Sequence, residues 1–302
     1  MEAANPQDAV TPQGAAAPRD ILAPQVTDSP KAPATDKYNA TVIAKSMLTP
    51  DLFIIKVKPD KAIPEFISGQ YVLLGLSSNV PRRADCEPEF KESKPDRMVL
   101  RAYSIASAGH EPDLLEFYIS VVSNGSLTPR LVQIKPGDRL MLGDKIRGFF
   151  TLDTVPKAHD TVVLAATGTG LAPYVSMMRR HAVSPFPFRF VILHGAPHSW
   201  ELGYLEELRL LARYLPRVHY LPSITRTKAD PWWPGETGRI TQYFQTPLLK
   251  EKLGVEFDPA RTSVFLCGNP AMIHEVGKTL EPQGYSAYTT QNPGSLHTEE
   301  YW

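Results

Sequence analysis

Near Pro156 the hydrophobic pattern changes its period, so the chain on either side of that point cannot fold in the same way. Upstream, Phe53, Ile55 and Val57 alternate with more polar neighbours, as do Leu115, Phe117, Ile119 and Val121, which is the period of half-buried strands. Turn signals separate such runs at Thr49-Pro50-Asp51, Ser68-Gly69-Gln70, Pro112-Asp113 and Lys135-Pro136-Gly137-Asp138. One short helix is expected among them, with Thr128 as its cap and Pro129 at its first helical position. Downstream, apolar runs at 161–166, 188–194 and 264–267 alternate with helical stretches, and Leu202, Leu205, Leu208, Leu211 and Leu215 mark the inner face of one covering helix. The pattern predicts an antiparallel barrel over residues 38–153 and a parallel α/β unit over 154–302. A chain of 302 residues is long enough to fill two such cores.

Residues 1–37 hold nine alanines, six prolines and no aromatic residue, too little apolar surface to offset the entropy of ordering. A disordered leader is expected there. Its single arginine and five acidic residues argue against an organellar transit peptide, and it lacks the segments of a secretory signal. No apolar run nears the roughly 18 residues of a membrane helix, so no membrane association is expected and the cytoplasm is the expected compartment. Lysine plus arginine balances aspartate plus glutamate, 32 against 32, which excludes a whole-chain field pulling toward nucleic acid. Two cysteines, Cys86 and Cys267, are too few for a four-cysteine cluster, and the histidines show no metal-ligand spacing, so no metal is expected.

The chemistry concentrates in Arg101-Ala102-Tyr103-Ser104-Ile105-Ala106-Ser107, a strand running into a turn. This heptad resembles the flavin signature of the ferredoxin–NADP reductase superfamily. A guanidinium can grip a pyrophosphate as a fork, a ring can stack on a flavin, and a hydroxyl can donate toward flavin N5. Residues 101 and 103 share one strand face and 104 the other, so the three must span a ligand. Leu115-Glu116-Phe117-Tyr118-Ile119, followed by Gly125-Ser126-Leu127-Thr128-Pro129-Arg130, is similar to the second flavin segment of that family. A glycine turn entering a helix offers N–H groups and a positive dipole end to a pyrophosphate. Ala166-Thr167-Gly168-Thr169-Gly170-Leu171-Ala172-Pro173 follows a buried strand and opens a helix, the placement of a nucleotide phosphate loop. Proline stands where the common dinucleotide fingerprint has its third glycine.

The resemblance implies a Greek-key FAD-binding barrel followed by an NADP-binding α/β domain. FAD would be held by Arg101, Tyr103, Ser104, Tyr118, Gly125, Ser126, Leu127 and Thr128, with the terminal Tyr301 and Trp302 folding back on the flavin. NADP would be held by Thr167, Gly168, Gly170, Arg226, Arg239 and Cys267, the two arginines meeting the 2′-phosphate. Ser104 and Cys267 are implied to position the reactants, neither acting as a nucleophile; a buried cysteine ending a core strand is the other reading of Cys267. Gly195-Ala196-Pro197-His198 departs from relatives that carry an arginine there. The implied activity is reversible electron exchange between NADP(H) and ferredoxin or flavodoxin, by a monomer. An NADH-dependent oxygenase-reductase subunit or flavin reductase is one alternative, and a flavin-binding protein without turnover is another. Arg82, Arg83, Lys91, Lys94 and Arg97 fall in a loop read either as solvated or as a basic face that steers a carrier. Trp232 and Trp233 are read as a surface lid or as packing.

Overall fold

The structure, a computed structural model, describes residues 34–300. The leader expected over 1–37 therefore lies outside the described residues except for Ala34–Lys37, which form a 3-10 turn rather than disordered chain. Tyr301 and Trp302 also lie outside them.

Strands β1 (Ala40–Thr49), β2 (Leu52–Pro59), β3 (Tyr71–Ser77), β4 (Met98–Ser104), β5 (Leu115–Ser120) and β6 (Arg139–Leu142) form an antiparallel sheet in the order β4-β3-β6-β1-β2-β5. The sheet wraps a core of Phe53, Ile55, Val57, Leu74, Phe117 and Leu140. Just past β4, the Ala106 N–H donates to Glu116 O of β5 at 2.8 Å, joining the two edges into a barrel. Helix α1 (Thr128–Leu131) is a single turn, and Leu127 rather than Thr128 occupies its cap position, with no side-chain capping bond. The Thr128 hydroxyl is engaged elsewhere. It accepts from Val122 N at 2.9 Å and closes the preceding turn.

After a 3-10 turn at Leu152–Thr154 the chain builds a second sheet, all parallel. Its strands are β7 (Thr161–Thr167), β8 (Arg189–Ala196), β9 (Val218–Ile224), β10 (Glu236–Thr237), β11 (Thr262–Gly268) and β12 (Leu296–Glu300), in the order β10-β9-β8-β7-β11-β12. Helices α2 (Ala172–Val183), α3 (Leu205–Tyr214), α4 (Gln242–Gln245), α5 (Leu248–Leu253) and α6 (Pro270–Leu280) connect them. Both faces are buried. Val162, Leu164, Phe190 and Ile192 pack with α2 and α3 on one side, while Val163, Val191, Leu193 and Val264 pack with α6 on the other. Burial on two faces is why these strands read as continuous apolar runs. In the leucine stripe, Leu208 is fully buried and Leu211 and Leu215 pack against the same core; Leu202 precedes α3 and packs with Leu205 and Ile224 in a smaller cluster.

The period-two reading of β5 is half right. Leu115, Phe117 and Ile119 face the barrel core, but Glu116 and Tyr118 are also buried, because α2 and α3 cover the outer face of the barrel there. No helix among the described residues is long and apolar enough to cross a membrane.

Candidate active site

A cleft of about 580 Å³ opens where the barrel meets the parallel sheet. One wall is β4, which contributes Arg101, Tyr103 and Ser104; Tyr118 and the turn from Asn124 to Thr128 form another, and Thr169, Ala172 and Glu299 close the end belonging to the second sheet. The cleft thus gathers Arg101, Tyr103, Ser104, Tyr118, Gly125, Ser126, Leu127 and Thr128. Along β4 the side chains pass from exposed Arg101 through half-buried Tyr103 to buried Ser104, so they span the cleft. Arg101 donates to Leu100 O at 2.7 Å and makes no ion pair among the described residues. In the turn, Gly125 N–H is taken by Val122 O, leaving the Ser126 and Leu127 N–H groups without a partner among the described residues. The Tyr118 hydroxyl accepts from Gly203 N at 3.1 Å and donates to Glu201 O at 3.2 Å, so its ring is held by the α/β half.

Glu299 enters the site through strand pairing. The β11–β12 register sets it opposite Cys267, and there the Ser104 hydroxyl donates to Glu299 Oε2 at 3.0 Å. Burial pushes its carboxyl up to about 7, the Ser104 hydrogen bond opposing the rise. Two residues earlier, His297 stacks on Phe265 with ring centres 4.0 Å apart, and burial pushes its imidazole down to about 3. It is a neutral packing group. Thr169 and Ala172 were read only as part of the nucleotide phosphate loop, and Glu299 was not singled out by sequence reasoning; it lies 195 residues from Ser104, a separation with no local signature.

A second cavity, about 330 Å³, lies at the carboxyl ends of the parallel strands and is lined by Thr167, Gly168, Thr225, Arg239 and Asn269. Strand order reverses between β7 and β11, the place where open α/β sheets receive nucleotides. Gly168 adopts φ +54°. Gly170 follows in the same loop, where a Cβ would lie 2.4 Å from Cys267 O, so only glycine lets the loop pack on the end of β11. Asn269 caps α6 by accepting from Ala271 N at 2.8 Å, and its own N–H donates to Thr167 Oγ1 at 2.8 Å. Arg226 is exposed beside this cavity in sequence but does not line it. Cys267 is fully buried in the core between β7 and β12 and lines neither cavity, as the core reading of that residue has it.

In the loop before β4, two of the five basic residues are tethered. Arg82 donates to Ser123 O at 2.7 Å and to Gly125 O at 3.2 Å, and Arg83 is bound to Asp51, Asp85 and Pro50 O. Trp233 is packing: its indole donates to Glu236 O at 2.8 Å and lies under the Arg209 guanidinium, whereas Trp232 is exposed. Among the described residues no group of three or more His, Cys, Asp or Glu could hold a metal.

Residues 164–278 match the oxidoreductase NAD-binding domain family. The chain is 31% identical over 239 residues to the flavodoxin/ferredoxin–NADP reductase of Escherichia coli, covering 78% of this chain and 88% of that one. It is also 31% identical to a ferredoxin–NADP reductase of Azotobacter vinelandii, covering 77% and 84% of the two chains. Its fold is similar to that of a ferredoxin NADP+ reductase from Neisseria gonorrhoeae solved with bound FAD and NADP, with TM-score 0.73 and 22% identity over 88% of this chain and 99% of that one.

Proposed function

The chain belongs to the flavodoxin/ferredoxin–NADP reductase family, and from that premise we propose that it exchanges electrons between NADP(H) and a ferredoxin or flavodoxin through bound FAD. The observation that carries this reading is the cleft at which Arg101, Tyr103 and Ser104 of the barrel meet Glu299 of the parallel sheet. Its walls fit a flavin dinucleotide: a guanidinium with no ion pair among the described residues, unpaired Ser126 and Leu127 N–H groups and flat phenol rings. FAD, when bound, supplies the coupling of two-electron exchange with a nicotinamide to one-electron exchange with a carrier.

In this reading residues 38–153 serve FAD and 154–302 serve NADP. Arg101 and the 125–128 turn hold the pyrophosphate, and the Tyr103 and Tyr118 rings orient the flavin. Ser104 keeps a hydroxyl donor at the reacting edge, and Glu299 accepts that hydrogen bond and can hold a proton at Oε2 in the neutral range. Thr167, Gly168 and Arg239 receive the nicotinamide nucleotide, Arg226 reaches its 2′-phosphate, and Gly170 and Cys267 form the floor on which the loop rests. A monomer working in the cytoplasm belongs to this reading.

Stopped-flow mixing of the oxidised holoprotein with NADPH or NADH, followed by transfer to ferredoxins and flavodoxins, tests it. Flavin bleaching should be faster with NADPH. Replacing Arg226 and Arg239 together by alanine should weaken NADPH use by about 1.5–3 kcal/mol per arginine and leave NADH use nearly unchanged. Equal loss with both nucleotides would remove these arginines from phosphate recognition. A colourless protein that takes up no FAD would overturn the assignment itself.

A further inference from the structure

Tyr118 is a barrel residue, yet both partners of its hydroxyl belong to the α/β half: Gly203 N–H donates to it at 3.1 Å, and it donates to Glu201 O at 3.2 Å. Stacking against a flavin needs only the ring, so phenylalanine would serve that purpose equally. The partners are shaped for the hydroxyl. A Cβ at Gly203 would lie 2.4 Å from the phenol oxygen, and Tyr204 takes a left-handed backbone, φ +60°, that a bulky residue rarely adopts. In that conformation the Tyr204 ring meets Tyr118 edge-on, 5.3 Å between centres, and its hydroxyl donates to Glu116 Oε1 at 2.8 Å. Backbone strain held in place by such contacts marks a fixed junction.

The same segment reaches the nucleotide cavity. Gly195, Ala196 and Pro197 line that cavity, where Thr225 N donates to Ala196 O at 3.1 Å and Arg226 N to Pro197 O at 2.9 Å. Between the two ends the Ser199–Glu201 turn is braced: Ser199 N donates to Asp230 Oδ2 at 2.8 Å, and the Glu201 carboxylate accepts from His198 N at 3.1 Å. A braced strap therefore runs from the carbonyl that holds Arg226 to the hydroxyl of a residue lining the flavin cleft. We propose that the Tyr118 hydroxyl is a positioning group for hydride transfer, fixing the flavin cleft to the nucleotide cavity through residues 195–204. This rests on the reading of the cleft and the cavity as FAD and NADP sites, in which NADPH gives up a hydride, two electrons with one hydrogen, to FAD and leaves as NADP+. Such a transfer demands reacting atoms about 3–3.5 Å apart, and a shift of about 1 Å between the two sites slows it steeply.

Tyr118→Phe keeps the ring and removes the tether. In the holoprotein without nucleotide, hydrogen exchange at the Gly203 amide, which Glu201 O of its own turn also accepts, should quicken about 3-fold. In stopped flow, flavin bleaching at saturating NADPH should slow about 10-fold, while FAD affinity and the NADPH dissociation constant stay within about 2-fold of wild type. Gly203→Ala, which displaces the phenol oxygen from the other side, should slow bleaching likewise. Unchanged bleaching in either variant would overturn the proposal, as would a matching loss of FAD affinity, which would make the hydroxyl part of the flavin pocket alone. Unchanged exchange at Gly203 would overturn the tether itself. These outcomes leave the FAD and NADP reading intact, whereas wild-type protein that takes up no FAD, or whose flavin NADPH does not bleach, overturns both.

Discussion

Two glutamates stand at the seam between the sheets and do opposite work. Glu116 of β5 is 4% exposed, with Arg179 at 2.9 Å, Lys56 at 3.2 Å and the Tyr204 hydroxyl donating at 2.8 Å. Burial alone would raise its pKa, but Arg179, Tyr204 and Lys56 together outweigh burial and hold the carboxyl below its ordinary range. Glu299 has the Ser104 hydroxyl and no cation at ion-pair distance among the described residues, so burial prevails and its pKa rises to about 7. A carboxylate matched by cations ties the barrel to α2 and α3. One left with a single hydroxyl, lining a cleft, has burial as the prevailing influence on its proton.

The largest effect that would sharpen this contrast is on stability. Glu116→Ala leaves Arg179 and Lys56 without their shared partner and should destabilise the fold by about 3 kcal/mol, measured by urea unfolding of the holoprotein. A loss below about 1 kcal/mol would make Glu116 as dispensable structurally as an exposed ion pair and break the comparison.

Glu299→Gln should do the reverse, leaving the unfolding midpoint nearly unchanged while lowering turnover on the order of 10²-fold, the scale of a positioned proton donor or acceptor. The pH profile of kcat should lose its ionisation near about 7. If the glutamine variant keeps that ionisation, another group carries it.

A smaller effect is expected at Arg101, whose guanidinium holds only the neighbouring Leu100 O while that of Arg130 grips several carbonyls and Glu89. Arg101→Ala should weaken FAD retention by about 1.5–3 kcal/mol, the worth of a charge-assisted phosphate bond, without altering the unfolding midpoint of the flavin-free protein. A shift in that midpoint would give Arg101 a structural role.

The smallest effect is in the pH dependence of stability, where the two carboxyls carry opposite signs. Glu299 binds its proton more tightly folded than unfolded, so its contribution is present below the ordinary carboxylate range and weakens as pH rises toward about 7. Glu116 contributes above that range, and its contribution is lost as pH falls through its lowered value. For half-exposed Glu299 the change should not exceed about 1 kcal/mol. The stability of Glu299→Gln minus that of wild type should grow from about pH 5 to about pH 8; a flat difference would put the carboxyl in water.

Much of the site was legible because its parts are local. Arg101, Tyr103 and Ser104 lie within one strand, where their resemblance to a family signature picked them out, and the Thr167–Gly170 loop joins a buried strand to a helix, a placement that period and spacing make readable. Arg82 and Arg83 were legible as charges but not as tethers, because the carbonyls and carboxylates that hold them come from distant turns. The Thr128 hydroxyl was misread for the same reason on a smaller scale: Val122 reaches it before the helix does.

By itself the sequence determined the two textures of the fold, since alternation specifies strands with one buried face and continuous apolar runs specify strands covered on both. It also determined the flavin-like heptad and the phosphate-loop placement, each a matter of neighbours along the chain. Only the tertiary structure decided that Glu116 would be buried and paired, that Cys267 would face the core, and that Glu299 would reach Ser104. The first follows from α2 and α3 covering the outer face of the barrel, and the other two from the position of β11 inside the parallel sheet and the register of β12 against it. Packing between elements far apart in sequence sets those contacts, and no periodicity within either element encodes them.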